Sequence, residues 1–176
     1  MAKTRRRRYY KRKGRWSANI KQIIDDKKTI AAASSFYLTT DLCKNPAQND
    51  NTVSQQYTVK NVEFTFQLEI PYGQTGLSGV EGLICYIMYV PQGMIVTETY
   101  PLYHPEYIMA SRFIGSPDYE VTDNNFIRNP LKVKSRLARR LQTGDSIIFL
   151  ITGTTDNQNP SQLSINGLLR WWTKAN

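Results

Sequence analysis

The chain has 176 residues, 40% of them hydrophobic, with 23 Lys+Arg against 14 Asp+Glu and a formal net charge of +9. That is enough for one domain with a real core, and no apolar run approaches the roughly 18 residues of a membrane-spanning helix, so membrane insertion is not expected. All of the net charge lies at one end: residues 1–16 hold nine basic side chains and no acid, while residues 17–176 carry fourteen of each sign.

The first segment, 1–16, contains Lys3, Arg5, Arg6, Arg7, Arg8, Lys11, Arg12, Lys13 and Arg15, with Tyr9, Tyr10 and Trp16 among them. A like-charge block of this kind repels itself into disorder and acts as an interaction arm. A membrane-binding arm needs a hydrophobic anchor or an acyl chain, and "MAKT" lacks the glycine for myristoylation. A secretory signal would need an apolar stretch behind the charge, and none follows. Nucleic acid fits better: arginine pairs with phosphate oxygens and stacks on bases, and the three aromatic residues are stacking platforms for unpaired strands. The same residues match the loose pattern of a nuclear localisation signal, which makes a nuclear import receptor a second expected partner. The plain alternative is a solubilising tail.

Residues 17–176 read as one all-β domain. The stretch 28–40 alternates loosely, with Ile30, Ala32, Ser34, Phe36 and Leu38 on one side. "NVEFTFQLEI" (61–70) alternates strictly and describes a strand with one buried and one wet face, Phe64 and Phe66 pointing inward. "LICYIMYV" (83–90) and "IIFLI" (147–151) are apolar on both faces and suit central strands or strands at an interface. Residues 104–112 hold the one helical signal, Pro105 followed by Glu106. Short strands are expected near 108–115, 118–122 and 130–138, and a last one over 163–173. Turn-rich connections at 44–52, 71–79 and 153–161 separate them. About eight strands with long loops predict an eight-stranded antiparallel sandwich, most simply a jelly roll.

Little in the chain points to catalysis or metal binding. His104 is the single histidine and reads as a local cap or packing residue. There is no nucleophile elbow, phosphate loop or Cys/His ligand spacing. Cys43 and Cys85 are too few and too far apart for a zinc site or a disulfide framework, and read as reduced intracellular thiols. The acids Asp25, Asp26, Glu98, Asp118, Glu120 and Asp123 are scattered and read as solvated surface. Neither an enzyme nor a cofactor is expected.

A second basic cluster, "RNPLKVKSRLARR" (128–140), has six cations and no acid. As a strand it places Lys132, Lys134 and Arg136 on one face and Leu131, Val133, Ser135 and Leu137 on the other, with Arg139 and Arg140 beside the row. Lysines also guard exposed edges against aggregation. The functional reading is a phosphate-contacting wall that supplements the arm.

A disordered arginine arm on a neutral sandwich divides labour between polymer charge and self-association. The stretches "YIMYVPQGM" (86–94), "PLYHPEYIMASRFIGSP" (101–117) and "NPLKVKSRLARRLQTGDSIIFLITGTT" (129–155) resemble capsid proteins of circular, replication-protein-encoding single-stranded DNA viruses, the circovirus-like group. The resemblance implies a single jelly-roll domain (17–176), a sixty-copy icosahedral shell, and an arm (1–16) directed inward onto a single-stranded DNA genome. It also implies residence in the virion and, during assembly, in the host nucleus. The chain and its arm are shorter than is typical of that group. Satellite-virus capsids share this build, so RNA cargo is an open alternative, as is a non-viral nucleic-acid-binding module with a basic tail. The host attachment receptor is not legible.

Overall fold

The computed structural model describes residues 15–32, 34–45, 56–69, 80–115, 130–155 and 160–175. Within them the chain forms β1 (Ser17–Ile30), β2 (Ser35–Lys44), β3 (Tyr57–Glu69), β4 (Val80–Val90), a four-residue helix α1 (Tyr100–Tyr103), a 3-10 turn (Pro105–Tyr107), β5 (Ile108–Gly115), β6 (Leu131–Lys134), β7 (Arg139–Leu141), β8 (Ser146–Thr155) and β9 (Ser161–Ala175).

Two antiparallel sheets face each other. One runs β1-β9-β3-β6, with β7 also paired to β3, and the other β2-β8-β4-β5. Because β6 and β7 pair with successive stretches of β3, they fill one strand position interrupted at residues 135–138. The sandwich therefore has eight positions, and the chain crosses repeatedly from one sheet to the other. That order is the jelly roll.

The core follows from the alternation of β3. Val62, Phe64, Phe66 and Leu68 are buried to 1% exposure or less, while Glu63, Thr65 and Gln67 lie on the other face. Phe64, Phe66 and Phe149 of β8 form an aromatic cluster with ring centroids 4.6–5.2 Å apart. Several bulges bend the sheets. Asn61 (φ 50°) sits in one on β3 and Gly82 (φ 62°) in one on β4, left-handed conformations that asparagine and glycine tolerate.

The strands apolar on both faces, β4 and β8, are central. Their inward side chains (Leu83, Cys85, Ile87, Ile147, Phe149, Ile151) join the main core. Their outward ones (Met88, Val90, Ile148, Leu150) are covered by the chain's own 91–107 segment through Val96, Tyr100 and Tyr107. His104 packs locally, as expected, stacking on Tyr107 at 5.3 Å and meeting Glu106 Oε1 at 3.3 Å.

Four expectations are corrected. The 28–40 stretch is not one strand: β1 ends at Ile30 and β2 begins at Ser35, with a turn between them. β1 itself was not foreseen, because its Ile20 and Ile24 face outward at 67% and 61% exposure and blur the alternation. The helical signal over 104–112 gives way to the 3-10 turn and to β5, whose Ala110 and Ser111 pair with Ile87 and Tyr86. Sheet pairing there outweighs local propensity. Leu137 is 51% exposed rather than inward, because β6 stops at Lys134. Ser135 holds that stop: its N–H donates to Val62 O at 2.8 Å and its hydroxyl to Met109 O at 2.8 Å. The strand expected near 118–122 lies outside the described residues.

Candidate nucleic-acid interface

The larger sheet presents its outer face to solvent, and register shows what shares it. Across the sheet, Ile20, Arg170, Glu63 and Lys134 stand side by side, and Gln22, Leu168, Thr65 and Lys132 form the next row. Toward the other end Trp172 lies beside Lys60, and Lys174 and Arg140 flank Thr58. Arg136 lies beyond the end of β6 and closes a hollow of about 290 Å³ with Lys134, Arg170 and Trp172. Seven cations thus share one surface: Lys60, Lys132, Lys134, Arg136, Arg140, Arg170 and Lys174.

Among the described side chains the acid on this face is Glu63. It forks between two lysines, Oε1 at 2.8 Å from Lys132 Nζ and Oε2 at 3.2 Å from Lys134 Nζ. The hydrogen bond from Lys132 holds its carboxyl below the usual range, with Lys134 adding to the effect against partial desolvation. One carboxylate offsets one charge, so the face stays strongly cationic.

The arm's root opens on the same side. Residues 1–14 lie outside the described residues, but Trp16 sits with the Lys60 ammonium 3.9 Å above its ring centroid, a cation–π contact. Of the expected site residues, then, Lys132, Lys134 and Arg136 come together, Arg140 lies at the sheet's far end, and Trp16 joins from the arm. Arg139 is separate. Its register partner Val59 is buried, and its guanidinium turns to Glu106 O and toward the Tyr89 ring. Lys3, Arg5, Arg6, Arg7, Arg8, Tyr9, Tyr10, Lys11, Arg12 and Lys13 fall outside the described residues. Arg15 is exposed on the side of β1 opposite Trp16.

Sequence reasoning missed Lys60, Arg170, Trp172 and Lys174. Lys60 is isolated in the chain and the other three alternate along β9, and only pairing of β9 with β3 brings all four onto the face that holds β6. The signal was present in the sequence of 163–173, where Leu163, Ile165, Leu169 and Trp171 alternate with Ser164, Asn166 and Arg170.

Neither cysteine is poised as a nucleophile. Both cysteines are free. Burial pushes the Cys43 thiol up to about 12 and raises that of Cys85 further, so both stay protonated and unreactive. Among the described residues no group of three His, Cys, Asp or Glu gathers as a metal site would.

No protein-family model matches the chain, and no curated protein matches it. Solved structures with a similar course include a bacterial lipoprotein from Bacteroides thetaiotaomicron, at 6% identity over 90% of this chain and 84% of that one, TM-score 0.44. Cocksfoot mottle virus is similar at 11% identity over 92% and 95%, TM-score 0.40. Turnip yellow mosaic virus is similar at 13% identity over 90% and 93%, TM-score 0.38. At these scores the fold assignment rests on this chain's own strand order.

Proposed function

We propose that the chain is a viral coat subunit that assembles with copies of itself into a small icosahedral shell and packages single-stranded DNA. The observation that carries this reading is the common side of two cationic features: the root of the arginine arm, at Trp16, lies on the sheet face that gathers seven cations against Glu63. An arm rooted beside a wall of the same sign neutralises a polymer's phosphates without reading its sequence. A fold alone does not specify this role; the charge arrangement supports it.

Self-association is supported from the other sheet. The 91–107 segment leaves Ile95, Leu102 and Tyr103 exposed at 83%, 76% and 76%. Large apolar side chains grouped on one surface segment mark protein–protein contacts. The sequence resemblance to circovirus-like capsid proteins points to a sixty-copy shell, with residence in the virion and passage through the host nucleus by way of an import receptor that reads the arm.

Electron microscopy of the purified protein tests the shell: uniform spherical particles are expected, and a monomer or dimer at every salt and protein concentration would return the chain to the class of non-viral nucleic-acid-binding modules. Deleting residues 1–16 is expected to leave a folded body and to remove most copurifying nucleic acid. An undiminished nucleic-acid content would mean that the arm is not the packaging device. Nuclease digestion of the cargo separates DNA from RNA.

A further inference from the structure

The inner side of β1 changes character along its length. Ile30 and Ile23 are buried inward residues, but the same alternation continues as Lys21, Asn19 and Ser17, none of them buried. At this end the two sheets part, and a cavity of about 540 Å³ opens between them. That volume is within the range of small-ligand sites, roughly 300–1,000 Å³.

Its lining has a definite chemistry. Arg15, Lys21 and Lys44 bring three cations, Tyr57 and Trp171 bring two half-buried aromatic rings, and among the described residues no acid lines it. Asn19 donates from Nδ2 to Ser17 O and to Thr173 Oγ1, both at 3.1 Å, which leaves its carbonyl oxygen as an acceptor. Desolvation pushes the Tyr57 phenol up to about 12, so the ring stays neutral. Three lining cations against the nearby Asp41 leave an excess of positive charge that suits an anion, and the lining aromatic rings suit a flat, unsaturated group beside it.

We propose that this open end of the sandwich is a binding site for one nucleotide unit, its phosphate held by Arg15, Lys21 and Lys44 and its base lying against Tyr57 and Trp171. The site goes beyond the packaging reading. It uses the inner side of β1 rather than the outer face, different cations, and one nucleotide rather than the bulk charge of a polymer. Arg15 and Trp16 point to opposite sides of the chain, so the two sites lie on opposite faces of the same sheet.

The test is photo-cross-linking of the full-length protein with 5-iodo-2′-deoxyuridine 5′-monophosphate, with adducts mapped by mass spectrometry. Adducts on Tyr57 or Trp171 are expected. Losing two charge-assisted contacts in Lys21→Gln/Lys44→Gln lowers their yield about tenfold, and Lys44→Gln alone lowers it in the same direction. Lys132→Gln/Lys134→Gln leaves the yield unchanged even where it reduces packaged nucleic acid, so the two readings fail separately. Adducts confined to Tyr9, Tyr10 or Trp16, or an undiminished yield in the Lys21/Lys44 variant, would overturn the proposal. So would displacement by a sulfated tetrasaccharide at lower concentration than by deoxyadenosine monophosphate, which would assign the site to a sulfated sugar.

Discussion

Gly167 allows β9 and β3 to pack as they do. A Cβ there would stand 2.6 Å from Thr65 O and 2.6 Å from the Phe64 ring. The ring has no room to yield against Phe66 and Phe149, and the carbonyl is held in the sheet. Gly167→Ala is expected to cost about 1–3 kcal/mol through overpacking, read as a lowered denaturant midpoint. Phe64→Asp places an unpaired charge in the core and abolishes soluble protein, whereas Thr65→Asp, on the outer face, is far milder. Equal loss from both would mean that a neighbouring subunit also covers the outer face. Glu63 makes a smaller contribution. Its folded pKa is depressed, so its stabilisation is present above the unfolded carboxylate value and is lost as pH falls through the lower folded one. With both lysines about half exposed, the effect is at most about 1 kcal/mol. Glu63→Gln removes that part of the acid dependence in pH-resolved thermal melts.

At the scale of elements, a buried carboxylate ties several strand ends together. Asp145, 4% exposed in the turn between β7 and β8, accepts from Tyr89 Oη at 2.7 Å, from Gln92 N at 3.1 Å and from Gln142 N at 2.8 Å. Its carbonyl accepts from Asn45 N at 2.9 Å, just beyond β2. One residue therefore fixes the ends of β2, β4 and β7, which lie far apart in sequence. Asp145→Ala strands three donors and is expected to destabilise by about 3 kcal/mol. Hydrogen exchange checks it: amides of Gln92 and Gln142 lose protection before those of β3.

For the whole molecule, the seven-cation face predicts a graded electrostatic response. Changing Lys132, Lys134 and Arg136 together to Gln lowers packaged nucleic acid and flattens its salt dependence, since each lost phosphate contact on a single strand removes about 0.7 from the logarithmic salt slope. Empty shells still form if the face contacts cargo alone. Normal packaging with failed assembly would instead make the row a subunit interface. Adding Lys60 and Arg170 to the set deepens the effect, because register places them on the same surface.

The sequence by itself determined the strict strand of 61–70 with its inward phenylalanines, the central character of 83–90 and 147–151, and the row formed by Lys132 and Lys134. The first and last are period-two patterns, legible wherever one face of a strand is dry and the other wet, and the central strands show as short runs apolar on both faces. It also set the separation of a basic arm from a neutral body, since charge adds up without reference to fold. Only the tertiary structure decided the rest. β1 hides its pattern because Ile20 and Ile24 face outward, and over 104–112 the helical signal yields to the strand also expected at 108–115 because β4 offers it a ladder. Lys60, Arg170, Trp172 and Lys174 join the cationic face through pairing between residues more than a hundred positions apart. The physical reason is common to all of these: alternation is a property of one strand, whereas the choice of neighbour is made by burial and hydrogen bonding across the whole sheet.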